Sequence, residues 1–253
     1  EEENNLKDWT EVAMQRLLNN EKLILTPCDI KGLDWVEIDD IQDLLHSDRK
    51  FSKWDYCLPR LESIFFDLDG TIYTGNRSLP EVSETLKFLQ DLDKKIYFVS
   101  NNSSKTKDEY VSRLNHLGIS CLASQIVLST DAIVHYLRSN HVNDLHVLGT
   151  KSLKKTLRQG GFDVHSETPE YVTVGYDTEL TYKKLIDACY YINQGVDILA
   201  THCDMFCPTE NGPIPDVGTI LEMLRLTTGK SASKIFGKPS VDMISRLIEE
   251  NKF

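Results

Sequence analysis

The chain has 253 residues, 40% of them hydrophobic and 26% charged, which suits a soluble globular protein with one large domain or two small ones. A formal charge of −11 with no basic cluster argues against a nucleic-acid surface, but not against small phosphorylated molecules, which need only local cations. With no run of 18 apolar residues and no signal-peptide pattern, a cytoplasmic protein without a membrane partner is expected.

Six cysteines are scattered without a CxxC pair and read as reduced thiols. "HCDMFC" (202–207) hints at zinc, but no second ligand cluster supports it.

In chain order, a short helix (6–20) leads to "LILTPCDIKG", then to "WVEIDDIQDLLHSD". Residues 47–61, polar and aromatic, read as a linker. From residue 61 onward strand-like and helical patterns alternate. Strands are predicted at 63–68, 95–100, 145–149, 171–176 and 197–202. Helices are predicted at 79–93, 107–118, 130–139, 152–161, 181–195, 217–229 and 240–250, several of them stopping at glycine. Such alternation implies a parallel sheet with helices on its faces.

"FFDLDGTIY" (65–73) places Asp67 and Asp69 at the end of an apolar strand, where ligands bind in open α/β sheets. Two carboxylates there repel unless a cation and a phosphate share the gap. One could then attack phosphorus while the other handles the proton. Taken alone, the pair equally describes a helix-capping Asp and a turn Asp before glycine. "FVSNNSS" (98–104) is a second strand ending in polar side chains, with Ser100 able to bind a phosphate oxygen and Asn101 and Asn102 able to orient ligand or loop. "KIFGKPS" (234–240) adds Lys238 beside a helix start, able to neutralise a phosphoryl group.

In this order Asp67-Asp69, Ser100 and Lys238 resemble the motifs of the haloacid dehalogenase (HAD) superfamily. More narrowly, residues 61–253 resemble its class IIA phosphatases, which carry an inserted C2 cap and include p-nitrophenyl phosphate, phosphoglycolate and pyridoxal phosphate phosphatases. Supporting stretches are "NNSSKTKDEYVSRLNHLGI", "VGYDTELTYKKLIDA", "ILATHCD" and "GTILEMLRLTTGKSASKIFGKPS". The resemblance implies an α/β fold: a Rossmann-like core with a parallel sheet at 62–141 and 233–253, and an α/β cap at 142–232. It further implies Asp67 as nucleophile, Asp69 as general acid and base, and Ser100, Asn101, Asn102 and Lys238 as phosphate-binding residues. Mg2+ would be held by the Asp67 carboxylate and the Asp69 backbone carbonyl. The cap loop 201–218 would choose the leaving group, with His202 and Asp204 as specificity residues. His202 and Asp216 stand where relatives commonly carry Asn and Gly. A small phosphorylated metabolite is the expected partner, and homodimer formation through the cap is a further expectation.

Residues 1–48 resemble the closing segment of sugar-phosphate or choline-phosphate nucleotidyltransferases, on the evidence of "WTEVAMQRLLNNEKLILTPCDIKGLDWVEIDDIQDL". This implies Glu37 and Asp39 as metal ligands and a remnant of a separate α/β domain, joined by a linker at 49–61. The chain opens on Glu1 and stops at "EENKF" before the family's fourth acidic motif, so a fragment of a bifunctional, CTP-using nucleotidyltransferase/phosphatase is expected, poorly active by itself. Two alternatives stand beside the phosphatase: a non-catalytic module that docks or regulates a nucleotidyltransferase, and a superfamily member running another reaction. The intact Asp67, Asp69, Ser100 and Lys238 set favours an enzyme, and Asp69 favours a phosphatase over a dehalogenase.

Overall fold

A computed structural model describes residues 58–209 and 211–251. Glu37 and Asp39, and with them the nucleotidyltransferase reading of residues 1–48, lie outside the described residues.

Two parallel sheets organise the chain. The first has strand order β1 (Ser63–Asp67), β4 (Lys95–Ser100), β5 (Ile126–Leu128). Its register pairs Asp67 with Val99 and Ser100 with Leu128, so β1 and β4 present their carboxyl ends at neighbouring positions. The second has order β11 (Lys234–Ile235), β8 (Asp197–Ala200), β7 (Tyr171–Val174), β6 (Leu145–Leu148). β11, in the stretch expected to belong to the core, pairs with β8 through Lys234↔Leu199 and Ile235↔Ala200 and so joins the sheet of β6–β8.

The helices are α1 (Val82–Asp91), α2 (Lys107–His116), α3 (Ser129–Ser139), α4 (Lys151–Gln159), α5 (Tyr182–Asn193), α6 (Val217–Thr228) and α7 (Asp242–Asn251). Their starts follow local chemistry. Thr106 and Glu109 form a reciprocal capping box on α2, and the Thr150, Thr181 and Asp216 side chains cap α4, α5 and α6. Gly229 ends α6 at φ 74, a conformation that costs most other residues about 1 kcal/mol.

Two short antiparallel hairpins complete the described fold: β2 (Tyr73–Thr74) with β3 (Arg77–Ser78), and β9 (Phe206–Cys207) with β10 (Ile214–Pro215). Apolar side chains bury on both faces of each sheet. Leu68, Phe98, Leu114 and Ile126 pack around the first, and Leu145, Val172, Leu199 and Phe236 around the second, each at most 2% exposed. Burial on this scale contributes roughly 1.5–3 kcal/mol per large side chain. It fixes the strand ends from which the polar residues project.

Candidate active site

Asp67 is the last residue of β1, and the chain turns immediately after it. Ile72 N donates to Leu68 O at 2.9 Å and Gly70 N to Tyr73 O at 2.9 Å. Gly70 sits at φ 88, a left-handed position that Gly satisfies without strain. This turn returns Asp69 beside Asp67 and leads directly into the β2–β3 hairpin.

Lys238 arrives from the opposite end of the chain, where its Nζ contacts Asp67 Oδ1. Burial is the main cause raising the Asp69 carboxyl above its ordinary value, and the charge of Asp67 adds to the rise. Arg113, Lys105 and a hydrogen bond from Tyr73 oppose it. Asp69 is thus the carboxyl that holds a proton more readily than an exposed one, as an acid that protonates a leaving group must.

Ser100 ends β4, is 3% exposed, and accepts from Asn102 N at 3.1 Å. The two asparagines are turned toward the protein. Asn102 Oδ1 accepts from Ser104 N at 3.0 Å and Ser104 Oγ at 2.6 Å. Asn101 Oδ1 accepts from Lys238 N at 2.6 Å, while its Nδ2 donates to Asp204 Oδ2 at 3.0 Å. Asn101 therefore ties the lysine loop to the 201–218 loop, and this geometry shapes the site through both ends of one amide.

His202, expected among the specificity residues, is fully buried beneath the loop. Its Nδ1 lies 3.0 Å from Thr201 Oγ1 and its Nε2 2.9 Å from Asp216 Oδ1. Thr201 Oγ1 in turn lies 3.0 Å from Ser103 Oγ, which accepts from Tyr176 N at 2.8 Å. Asp204 stands at the surface, its side chain 47% exposed. His202, Asp204 and Asp216 offer ligand atoms within 4.8 Å of one another, but both ring nitrogens of His202 already have partners within the protein. Asp67 and Asp69 form the oxygen-rich pair suited to a hard divalent cation.

Several residues around Asp69 carried no sequence signal. Arg113, on α2, places its guanidinium 4.4 Å from the Tyr73 ring centroid and donates to Gly75 O at 2.5 Å, clamping the hairpin. Tyr73 is 1% exposed, and burial together with the Asp69 charge pushes its hydroxyl well above the usual range. Burial and Arg113 lower the Lys105 ammonium, against the pull of Asp69 and Glu109. Only the aromatic in "DGTIY" could have been singled out beforehand. The Arg113 contact spans 38 residues to Gly75 and leaves no pattern.

Comparison with known proteins gives a consistent answer. The family profile for haloacid dehalogenase-like hydrolases matches residues 64–163. An acid sugar phosphatase of Staphylococcus saprophyticus is 30% identical over 190 residues, 74% of this chain and 73% of that protein. A 5'-nucleotidase of Bacillus subtilis is 29% identical over 174 residues, 68% of each chain. The crystal structure of a 4-nitrophenylphosphatase from Thermotoga maritima superposes with a TM-score of 0.74 at 32% identity, covering 78% of this chain and 76% of that one. Among the described residues, no helix is long and apolar enough to cross a membrane. With Asp67, Asp69, Ser100 and Lys238 set out across these strand ends, the chain belongs to the haloacid dehalogenase-like hydrolases, in their class IIA phosphatase branch.

Proposed function

We propose that the protein hydrolyses small phosphate monoesters through a covalent phosphoryl group on Asp67. The observation that carries this reading is the contact of Lys238 Nζ with Asp67 Oδ1, beside an Asp69 whose proton affinity is raised. An Asp67 oxygen attacks phosphorus as the ester P–O bond breaks, and Asp69 gives its proton to the departing oxygen. Asp69 then takes a proton from water as that water attacks phosphorus, releasing inorganic phosphate and restoring the Asp67 carboxylate. Lys238 and Ser100 hold the phosphoryl oxygens throughout, while Asn101 and Asn102 hold the loops that carry them.

The donor set fits Mg2+, with the Asp67 carboxylate and the Asp69 backbone carbonyl as ligands. When bound, the ion would offset the charge that two carboxylates and a phosphate bring together. Asp67→Asn should lower phosphate release from an ester panel at least about 10³-fold, since the proposed adduct forms on that carboxylate. Unchanged release would sink this reading in favour of the non-catalytic module.

The wider context belongs to the same proposal. Residues 1–48, with Glu37 and Asp39, read as the end of a CTP-using nucleotidyltransferase, so the two activities would serve one cytoplasmic pathway; that reading rests on sequence alone. Homodimer formation through the cap is supported by α5, where Tyr182, Ile186 and Tyr190 recur every four residues and are 79%, 53% and 59% exposed. Lys183 and Asp187, 3.1 Å apart, flank this stripe. Two copies crossing antiparallel would set Tyr182 on Tyr190 and Lys183 against Asp187, which is the self-complementarity a two-fold axis requires.

A further inference from the structure

An acid that protonates a leaving group must present its O–H at one place, yet a carboxyl has two oxygens on which the proton can sit. In the turn after β1 the backbone around Asp69 is fixed. Thr71 N, Ile72 N and Tyr73 N converge on Leu68 O at 3.3, 2.9 and 3.3 Å, and Gly70 N donates to Tyr73 O at 2.9 Å. That fold-back pairs Asp69 with Tyr73 in an isolated bridge. It also brings the Tyr73 phenol into hydrogen-bond contact with the Asp69 carboxyl.

The phenol plays one part in that contact. Burial, and then the charge of Asp69, push its hydroxyl above the ordinary value, against the pull of Arg113. The oxygen therefore keeps its proton and is the donor of the hydrogen bond. A carboxyl oxygen that accepts from a hydroxyl is the one left unprotonated, so the acid proton is placed on the other oxygen. The contact lasts through the reaction, because the same oxygen accepts whether Asp69 holds a proton or has given it up.

Tyr73 is itself held from α2. Its ring is buried, the Arg113 guanidinium lies 4.4 Å from the ring centroid, and Arg113 Nη2 donates to Gly75 O at 2.5 Å. One side chain thus grips both the ring and the hairpin that carries it. Tyr110 and Leu114, on the same helix, are buried in the core of the first sheet, so the grip is rooted in a rigid element.

We infer that Tyr73 is a positioning residue for proton transfer, its hydroxyl directing which Asp69 oxygen carries the proton to the leaving group, and that Arg113 positions Tyr73 in turn. The inference rests on the phosphatase reading and extends the machinery beyond Asp67, Asp69, Ser100 and Lys238.

Leaving-group dependence separates this role from a merely structural one. 4-Nitrophenyl phosphate and phenyl phosphate are alike in shape, but nitrophenolate departs without a proton and the more basic phenolate is helped by one. Their kcat/KM values report the steps up to loss of the leaving group. In the 253-residue chain with Mg2+, Tyr73→Phe keeps the ring under Arg113. It should lower kcat/KM at least about tenfold for phenyl phosphate and less than about threefold for 4-nitrophenyl phosphate. Arg113→Met, which leaves the hydroxyl in place, should show the same bias to a smaller degree. Equal losses on the two esters in either variant, or a larger loss on the nitrophenyl ester, overturn the inference and leave the phosphatase reading intact. A crystal structure of Tyr73→Phe gives a reading without turnover: the Asp69 carboxyl should leave its parental orientation, and an unmoved carboxyl overturns the inference. A parent that releases phosphate from neither ester removes the phosphatase reading, and this inference with it.

Discussion

His202 Nε2 and Asp216 Oδ1 lie 2.9 Å apart with both side chains buried, joining the loop after β8 to the start of α6. Asp216 Oδ1 also accepts from Val217 N at 2.6 Å, so one oxygen serves the imidazole and the helix end together. Asp216→Ala should therefore cost about 2–4 kcal/mol, combining a lost cap with a buried ring nitrogen left unpaired. His202→Ala should be costly too, and the double variant should lose clearly less than the sum of the singles. Urea unfolding of the four proteins decides it: strictly additive losses would mean that the two side chains do not act as a pair.

Gly237 offers a second test, because its missing side chain is structural. A methyl group there would meet His202 Cβ at 2.3 Å and Asn101 Oδ1 at 2.9 Å, against a buried ring and an amide already committed to Lys238 N. Gly237→Ala should displace the lysine loop, costing roughly 1–3 kcal/mol of stability and lowering kcat/KM about 10- to 100-fold. Steady-state kinetics with unfolding curves would check this, and a variant with wild-type kcat/KM would show that the loop gives way freely.

His146 predicts a pH dependence of stability. Partial burial pushes its imidazole down to about 4, with Lys154, His165 and Lys183 adding to the fall and Asp187 opposing it, and the ring packs against Tyr191 at a tilt, with centroids 4.7 Å apart. The unfolded chain takes up this proton near the ordinary value of 6.5, whereas the folded chain does so only near 4. Stability from this group is therefore complete above about pH 6.5 and declines as pH falls toward 4, by about 2–3 kcal/mol in all. His146→Phe keeps a ring against Tyr191 and should flatten the slope of Tm in that window relative to the parent. Parallel slopes would rule the residue out.

The exposed stripe on α5 gives an assembly prediction. Ile186→Glu places two new charges, one from each copy, at the centre of the proposed two-fold contact, and should shift a dimer to monomer in sedimentation equilibrium. Phosphatase activity per chain should change less than about twofold, because surface substitutions away from a site are nearly neutral. A parent that is already monomeric at high micromolar concentration would end the dimer proposal.

Much of this was legible in advance because the informative residues sit at strand ends. Asp67, Ser100 and Lys238 each follow a short apolar run, and the registers that pair Asp67 with Val99 and Ser100 with Leu128 bring the first two together. Helices with a clear 3.6-residue period were placed within a few residues of their ends. β5 was missed because its three residues are all buried, which leaves no alternation to read. The two hairpins were missed because each strand is two residues long. Side-chain type marked Asn101 and Asn102 as candidates, but not that Lys238 N, Asp204 and Ser104 already occupy their amide groups. The His202–Asp216 pair was visible only as two unusual residues, since nothing in a sequence reports that positions 14 apart share a hydrogen bond.

Lys238 follows β11, hydrogen-bonded into the four-stranded sheet, whereas Asp67 closes β1 in the three-stranded one. After Lys238 the chain enters α7, whose Met243 packs on Tyr97, Val99 and Val127 of the three-stranded sheet. The ammonium is thus anchored from both sides, by one sheet before it and the other after it, and a change in either would be felt at Asp67.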